Sequence, residues 1–359
     1  MSVSAQIAVL PVGQSELEIR DVELPAPGPY EVTVRQRAFA VCHSQLDRIF
    51  DTGRTEPMVL GHESIGEVVE VGEAVDYVRP GDEVFITWVP RSPTAGRAPV
   101  PAWVHFPDGE VAKTHNTFTW GTHAVVDEQY VVKAPDGAPS DLGAIIGCAL
   151  MTGAGAALNS ADVQSGDTVA VWGAGGVGLC AIAAASIRGA AEIIAVDVDE
   201  QKLELATRFG ATATVNARTS DPVEEVRSFT PHDDGTRGVD YSFDCTGIGD
   251  NVATSLAGVR PGIRGAGIRG GSNVLVGIPR EPFLFNSMDL LNGEKSLVGC
   301  VGGSCSPERD FAQFVEWTRD GLFDPSSLIT DRFRLDQLND AVAALHDGRV
   351  RGRAVVELG

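Results

Sequence analysis

The sequence predicts an α/β protein of two domains, a mainly β domain followed by a doubly wound parallel sheet. Three observations carry that reading. The chain has 359 residues, more than one ordinary core holds. Up to about residue 140 it reads as short apolar runs, partly alternating and separated by Gly, Pro and Asp turns. From near Asp141 strand-like runs alternate with helical stretches, the pattern of a parallel sheet covered on both faces.

In the first domain the expected strands include Glu31–Arg35, Ser64–Val71, Glu83–Trp88 and His123–Val132, with turns such as PAPGP and RPGDE between them. The poorly patterned stretch from Pro90 to Thr119 reads as a long loop or lobe. In the second domain the order is TVAVWG, a helix from about Val177, EIIAVD, a helix from about Glu200, ATATVNA and VDYSFDCTG. A further strand, Asn273–Gly277, follows the glycine-rich connection GIRGAGIRGG. The tail from about Val301 gives two helical pieces and a final strand, RAVVEL. Such short late elements cannot build a core alone, so the tail is expected to return to the first domain. The expected division is 1–149 with 301–359, and 150–300.

Hydrophobic residues are 43% and charged residues 21%, an ordinary globular balance. The net charge of −21 argues against a nucleic-acid partner and against docking on anionic membranes, both of which need a basic surface. Only Lys113, Lys133, Lys202 and Lys295 are lysines; the remaining positive charge is arginine. Two uncharged stretches, between Asp141 and Asp162 and between Asp167 and Arg188, approach the ~20 residues that span a bilayer. Both are studded with Gly, Ala, Ser and Thr, and they read as buried elements of a soluble fold. The start MSVSAQIAVLPVG lacks the pattern of a secretory signal, so the expected compartment is the cytoplasm. There the six cysteines stay reduced, as core residues or metal ligands.

Val169–Gly178 reads VAVWGAGGVG, in which a strand runs into Gly173, Gly175 and Gly178 at the G-x-G-x-x-G spacing, with Gly176 and Val177 opening the helix. Gly173 permits a tight turn, Gly175 lets backbone approach a pyrophosphate, and Gly178 lets helix pack close on strand. The next strand ends in Asp197, 19 residues past Gly178, where a carboxylate accepts from the adenosine ribose hydroxyls. Asp197 and Asp199 repel a 2′-phosphate and no Arg follows at once, so NAD is favoured over NADP. Lys202 reaches the ribose or is a solvated helix lysine.

Cys42 in VCHSQLDRI, His62 in VLGHESIGEVVEVGEAV and Cys148 in AIIGCALMTGAG offer two thiolates and an imidazole. Two Cys and one His with an open position form a known catalytic zinc shell. Glu63, beside His62, is a candidate second-layer carboxylate or transient fourth ligand. Each residue alone is equally at home as core or loop, and spacing does not by itself assemble positions so far apart.

The segment GHESIGEVVEVGEAV resembles the G-H-E-x2-G-x5-G-x2-V signature of zinc-containing medium-chain alcohol dehydrogenases, with Gly61, His62, Glu63, Gly66, Gly72 and Val75 in place. CHS at Cys42–Ser44, IIGCALMTGAGAALNSA and WGAGGVG followed by VDVDEQK resemble that family's other motifs, in order, over almost the entire chain. The resemblance implies a GroES-like catalytic domain, a Rossmann domain with a six-stranded sheet and an active-site cleft between them. It implies a catalytic zinc on Cys42, His62 and Cys148, Ser44 as the hydroxyl that takes the substrate proton, and His43 near the cofactor pyrophosphate. It places Thr152 beside the nicotinamide and Arg353 at a late pyrophosphate contact, with Arg349 and Arg351 as alternative registers. It also implies a homodimer or homotetramer through edge strands near Asn273–Gly277 and Leu297–Gly302.

Two departures stand out. The family's structural zinc uses four cysteines near positions 90–115, and this chain has none between Cys42 and Cys148, so one zinc per chain and no structural zinc is expected. Many members end the proton relay with a histidine three residues after the relay hydroxyl; here that residue is Asp47. The implied reaction is hydride exchange between a small-molecule alcohol or carbonyl and NAD(H), with zinc as Lewis acid. The alternatives are a zinc-containing reductase of conjugated C=C or iminium bonds, a zinc-free reductase of the same superfamily, and a non-catalytic NAD sensor. Trp88, Trp103, Phe106, Phe118 and Trp120 either line an apolar pocket for a bulky alcohol or form the local core of a lobe without zinc.

Overall fold

The computed structural model describes residues 2–93, 96–114 and 116–359, so positions 94, 95 and 115 of the Pro90–Thr119 segment lie outside the described residues. The chain divides into two compact units, Met1–Cys148 with Ser306–Gly359, and Ala149–Cys305.

The first unit contains strands β1 (Val3–Leu10), β2 (Glu18–Leu24), β3 (Glu31–Val41), β4 (Met58–Val59), β5 (Ser64–Val71), β6 (Glu83–Ile86), β7 (Trp103–His105), β8 (Val111–Lys113), β9 (His123–Asp127) and β10 (Val131–Lys133). The second contributes β11 (Thr168–Trp172), β12 (Glu192–Asp197), β13 (Ala213–Asn216), β14 (Tyr241–Asp244), β15 (Ser272–Leu275) and β16 (Ser296–Gly299); the tail returns to the first unit with β17 (Ile329–Arg334) and β18 (Arg353–Glu357).

In the first unit, β3 is the organising strand. It pairs antiparallel with β5 on one side, and with β9 and then β18 on the other. Val32, Thr33 and Val34 are all buried, Arg35–Arg37 alternates about the buried Gln36, and Ala38–Val41 is buried throughout. A second sheet runs in the order β2-β1-β4-β8-β7. The single strand expected over His123–Val132 is broken at Glu128–Tyr130, because Asp127 accepts from the Gln129 amide at 3.0 Å and turns the chain. The tail holds one strand more than expected, β17, which pairs parallel with β18.

The Pro90–Thr119 segment is built around the hairpin β7–β8, which joins β4. Phe106 and Phe118 enter one hydrophobic core, Trp120 enters another, and Trp103 lies on the surface. Those aromatic side chains therefore serve as local core or surface. Arg97 makes a two-pronged contact with the buried Asp127 and stacks over Tyr30 at 4.3 Å, fixing the segment to the end of β9.

In the second unit the six strands are parallel in the order β13-β12-β11-β14-β15-β16. The order reverses beside β11, and ligands bind such sheets outside the carboxyl ends of the strands at that switch point. The first uncharged stretch becomes the helical run Ser140–Ser160, most of it buried, which is the ordinary condition of a core helix. The second divides into β11 and the helix Gly176–Ile187.

Candidate metal centre and nucleotide seat

Three strand ends meet at one edge of the first unit's sheet. Cys42 follows the last residue of β3, His62 and Glu63 precede the first residue of β5, and Arg353 opens β18. The registers Phe39↔Ser64 and Val41↔Ala354 bring these ends side by side. Cys148 arrives from the helical run, on a widened π turn at Ile146–Leu150. Gly147 allows the approach: a Cβ there would lie 2.3 Å from the Ile86 carbonyl oxygen and 3.1 Å from Glu63 Cβ. The Thr87 hydroxyl donates to the Gly147 carbonyl at 2.8 Å and holds the turn down.

Cys42, His62, Glu63 and Cys148 are all buried, with donor atoms within 4.8 Å of one another. The Cys42 and Cys148 sulfurs are 3.7 Å apart, where tetrahedral Zn–S bonds of about 2.3 Å would place two sulfurs roughly 3.8 Å apart. Among the described residues no well-formed hydrogen bond engages His62 Nε2, which is buried close to the Cys42 sulfur, a costly state for a ring nitrogen unless a ligand engages it. Charge argues the same way. With both thiols ionised, two thiolates and Glu63 face, among the described residues, the guanidinium of Arg353, an excess of two negative charges that a divalent cation cancels. In the protein alone the thiols divide. Cys42 lies well below the ordinary thiol value, first through the hydrogen bond from Cys148 and then, against burial, through His62 and Arg353. Cys148 is pushed well above it by the same contact and by burial. The residues fit a zinc ion.

Around this cluster, Ser44 is exposed and its hydroxyl donates to Cys42 Sγ at 3.3 Å. Asp47 is exposed one turn further on, in the short helix Leu46–Phe50, and His43 is exposed beside Cys42. Gln45, which the sequence analysis passed over, contacts His62 Nδ1 at 3.0 Å. Arg353, expected at a pyrophosphate, is buried and ion-paired to the fully buried Glu63, while Arg349 and Arg351 are exposed.

The second unit holds the nucleotide motif at the carboxyl end of β11. Gly173 has φ +88°, a backbone that side chains other than glycine rarely adopt. A Cβ on Gly178 would sit 1.9 Å from the Gly173 carbonyl oxygen, so that glycine serves packing. Gly175 differs: its φ is ordinary and a Cβ would meet nothing within 4 Å. The fold gives no reason for glycine there, and the free space at the N-terminus of the helix Gly176–Ile187, with Val177 in its first turn, fits a pyrophosphate. Asp197 ends β12 and ties the turn together, accepting from Ala174 N at 2.8 Å, Val198 N at 2.7 Å and Asp199 N at 3.1 Å. Asp199 caps the helix Glu200–Arg208, which carries the half-buried Lys202. Thr152 is half-buried on the helical run, within the same unit.

A mainly β unit with a thiolate–imidazole centre, together with a doubly wound sheet bearing a glycine turn, defines a GroES-like and Rossmann-type dehydrogenase. Comparison with known proteins agrees. Residues 28–136 match the alcohol dehydrogenase GroES-like domain, and residues 176–320 match the zinc-binding dehydrogenase family. The S-(hydroxymethyl)glutathione dehydrogenase of Komagataella pastoris is 30% identical over 99% of this chain and 98% of its own. Among solved structures, an alcohol dehydrogenase zinc-binding domain protein from Burkholderia ambifaria covers both chains completely at 29% identity and a TM-score of 0.90. A benzyl alcohol dehydrogenase from Acinetobacter calcoaceticus covers 99% of this chain and 100% of its own at 28% identity and a TM-score of 0.85. The chain belongs to the zinc-containing medium-chain dehydrogenase/reductase family, and is an oxidoreductase of the alcohol dehydrogenase type.

Proposed function

We propose that the protein is an NAD-dependent alcohol dehydrogenase with one catalytic zinc per chain. The observation that carries the reading is the convergence of Cys42, His62 and Cys148, with Glu63, in one buried cluster whose donor atoms lie within 4.8 Å of one another. When bound, zinc supplies a Lewis acid that acidifies a hydroxyl or polarises a carbonyl. Ser44, exposed beside Cys42, accepts the proton that an alcohol gives up and passes it outward, with Asp47 or water as the next station. Arg353 holds Glu63 and offsets the negative charge of the thiolates. The second unit supplies the nucleotide seat: Gly173, Gly175, Gly176, Val177 and Gly178 for the pyrophosphate, and Asp197, with Lys202, for the ribose. The carboxylates of Asp197 and Asp199 favour NAD over NADP. His43 and Thr152 are carried in this reading as further cofactor contacts.

A homodimer or homotetramer is part of the proposal. The segments flanking β15 and β16, at the edge of the parallel sheet, expose Ile278, Leu284, Leu291 and Val301, an apolar surface suited to a second copy. The substrate is proposed as an alcohol or carbonyl compound, and the benzyl alcohol relative makes primary aromatic alcohols the first to try.

The test combines zinc content per chain with NADH formation on primary, aromatic and sugar alcohols. One zinc per chain with NAD-dependent turnover is expected, and both fall away in Cys42→Ala. Zinc without alcohol turnover would redirect the reading to a reductase of conjugated C=C or iminium bonds. A metal-replete preparation without zinc would overturn the metal reading.

A further inference from the structure

His62 is gripped from behind by an amide whose polarity opposes metal ligation. Gln45 lies in the turn that follows Cys42, anchored by the buried Leu46. Its Oε1 accepts from the backbone N–H of Gly61 at 3.1 Å, and its Nε2 lies 3.0 Å from His62 Nδ1. A backbone N–H can only donate, so the atom facing Gly61 is the oxygen, and the atom facing His62 is the NH₂ group. The Gly61 amide is held in place. Gly61 has φ +97°, a Cβ on it would lie 2.4 Å from Thr119 Oγ1, and the preceding carbonyl of Leu60 accepts from both Thr119 N and Trp120 N at 3.1 Å.

This orientation makes Nδ1 the acceptor, and a neutral ring then carries its hydrogen on Nε2. Metal ligation through Nε2 requires the other arrangement, with N–H on Nδ1 pointing at an acceptor. A carboxylate in the place of Gln45 would accept from Gly61 and from His62 together. A carboxamide has only one oxygen and serves one donor or the other.

We propose that Gln45 is a positioning residue whose carboxamide reverses when the Cys42–His62–Cys148 cluster takes up zinc. In the metal-free protein Oε1 bonds Gly61 N–H and Nε2 donates to His62 Nδ1. With zinc bound, Oε1 accepts from His62 Nδ1–H, and the NH₂ group faces the Gly61 N–H, which loses its acceptor. The reversal sets part of the metal affinity, because each zinc that binds gives up one buried hydrogen bond. This rests on the zinc reading of the cluster.

The experiment uses the full-length protein and Gln45→Glu, with zinc affinity measured by chelator competition. The Gly61 amide is followed by NMR, through ¹³C-leucine and ¹⁵N-glycine labelling, which selects the Leu60–Gly61, Leu142–Gly143 and Leu358–Gly359 amides; Leu142→Ile and Leu358→Ile identify the other two. In the wild type the Gly61 amide proton moves upfield as one zinc binds. In Gln45→Glu the amide holds its position through the titration and zinc binds about 10-fold tighter or more, within the 10–100-fold range of partners behind metal ligands. The added negative charge tightens zinc by itself, so the amide signal is what separates reversal from charge. A wild-type protein that binds zinc while the Gly61 amide stays put overturns the proposal alone. A wild-type protein that binds no zinc overturns the metal reading and this proposal with it.

Discussion

Replacing Arg353 by methionine removes the guanidinium paired with Glu63. Both side chains are buried, at 6% and 0% exposure, so neither can turn to water when its partner is lost. Removing one member of a buried pair leaves an uncompensated charge and costs about 3–5 kcal/mol. The metal-free site is the sharper setting, because Glu63 then lies beside Cys42, whose thiol is held well below its ordinary value. With a urea slope of about 2 kcal/mol/M, a loss of about 4 kcal/mol moves the unfolding midpoint of the first unit down by about 2 M. The double variant Arg353→Met with Glu63→Gln removes both charges and recovers most of that loss. Equilibrium unfolding in urea with a chelator present measures all three proteins as a double-mutant cycle. If Arg353→Met leaves the midpoint within about 0.5 M of the wild type, or the double variant is no better than the single one, the pair is not what holds this edge of the sheet together.

The glycine turn gives a paired prediction. Gly178→Ala places a Cβ 1.9 Å from the Gly173 carbonyl oxygen and is expected to lower thermal stability, whereas a Cβ at Gly175 meets nothing within 4 Å and Gly175→Val is expected to keep it. Gly175→Val should instead weaken NADH binding by about 10-fold or more in a fluorescence titration, a loss of about 1.4 kcal/mol; unchanged affinity would remove Gly175 from the nucleotide seat. Asp127 supplies a pH prediction. Burial raises its pKa, but the hydrogen bonds from Arg97, Gln129 N and Val100 N outweigh that and hold it below the ordinary 3.8. The folded state therefore binds the proton more weakly than the unfolded chain. Its stabilisation is complete above about pH 4 and is lost as pH falls through the folded value. Arg97→Gln should lower the melting temperature at pH 6 and shrink the difference between pH 6 and pH 3; an unchanged acid limb would refute the assignment.

Much of the site was legible because its parts are local patterns. The glycine spacing with Asp197 reports one strand–turn–helix, and β11, its helix and β12 lie where that motif requires them. His62 stands out because it lies just ahead of the expected strand Ser64–Val71; Cys42 lies past the expected strand Glu31–Arg35 and gains its place because β3 runs on to Val41, whose register with β5 carries both to one edge. Cys148 is different in kind. Its place depends on a close approach at Gly147 and on a π turn, neither of which leaves a periodic signal. The Glu63–Arg353 pair joins residues 290 positions apart and is set by the pairing of β18 with β3, which single-sequence patterning does not reveal. Gln45 carries no signal at all: a glutamine in a polar turn is unremarkable until its two amide atoms are found between Gly61 and His62. The aromatic residues near Pro90–Thr119 were ambiguous between pocket and core for a similar reason, since composition does not say which way a side chain faces.

The way this segment is held connects back to composition. The chain has almost no lysine, and around the lobe its arginines lie against aromatic rings: Arg20 over Phe106 at 4.4 Å, Arg91 over Tyr77 at 3.5 Å and Arg97 over Tyr30 at 4.3 Å. Each also reaches an acid, Arg20 to Asp108 and Glu110, Arg91 to Glu128, and Arg97 to Asp127. Only a planar, multi-donor cation can stack on a ring with its face while its edge grips a carboxylate in two places. An ammonium offers only a point charge to each: Lys113 Nζ sits 4.9 Å from the Trp103 centroid and pairs with the exposed Glu56 through one oxygen at 2.5 Å. Exposed ion pairs of that kind are worth under about 1 kcal/mol. The buried Asp127 makes the Arg97 contact the stronger anchor, so a lobe without cysteines for a metal is tied to the sheet chiefly where β9 ends.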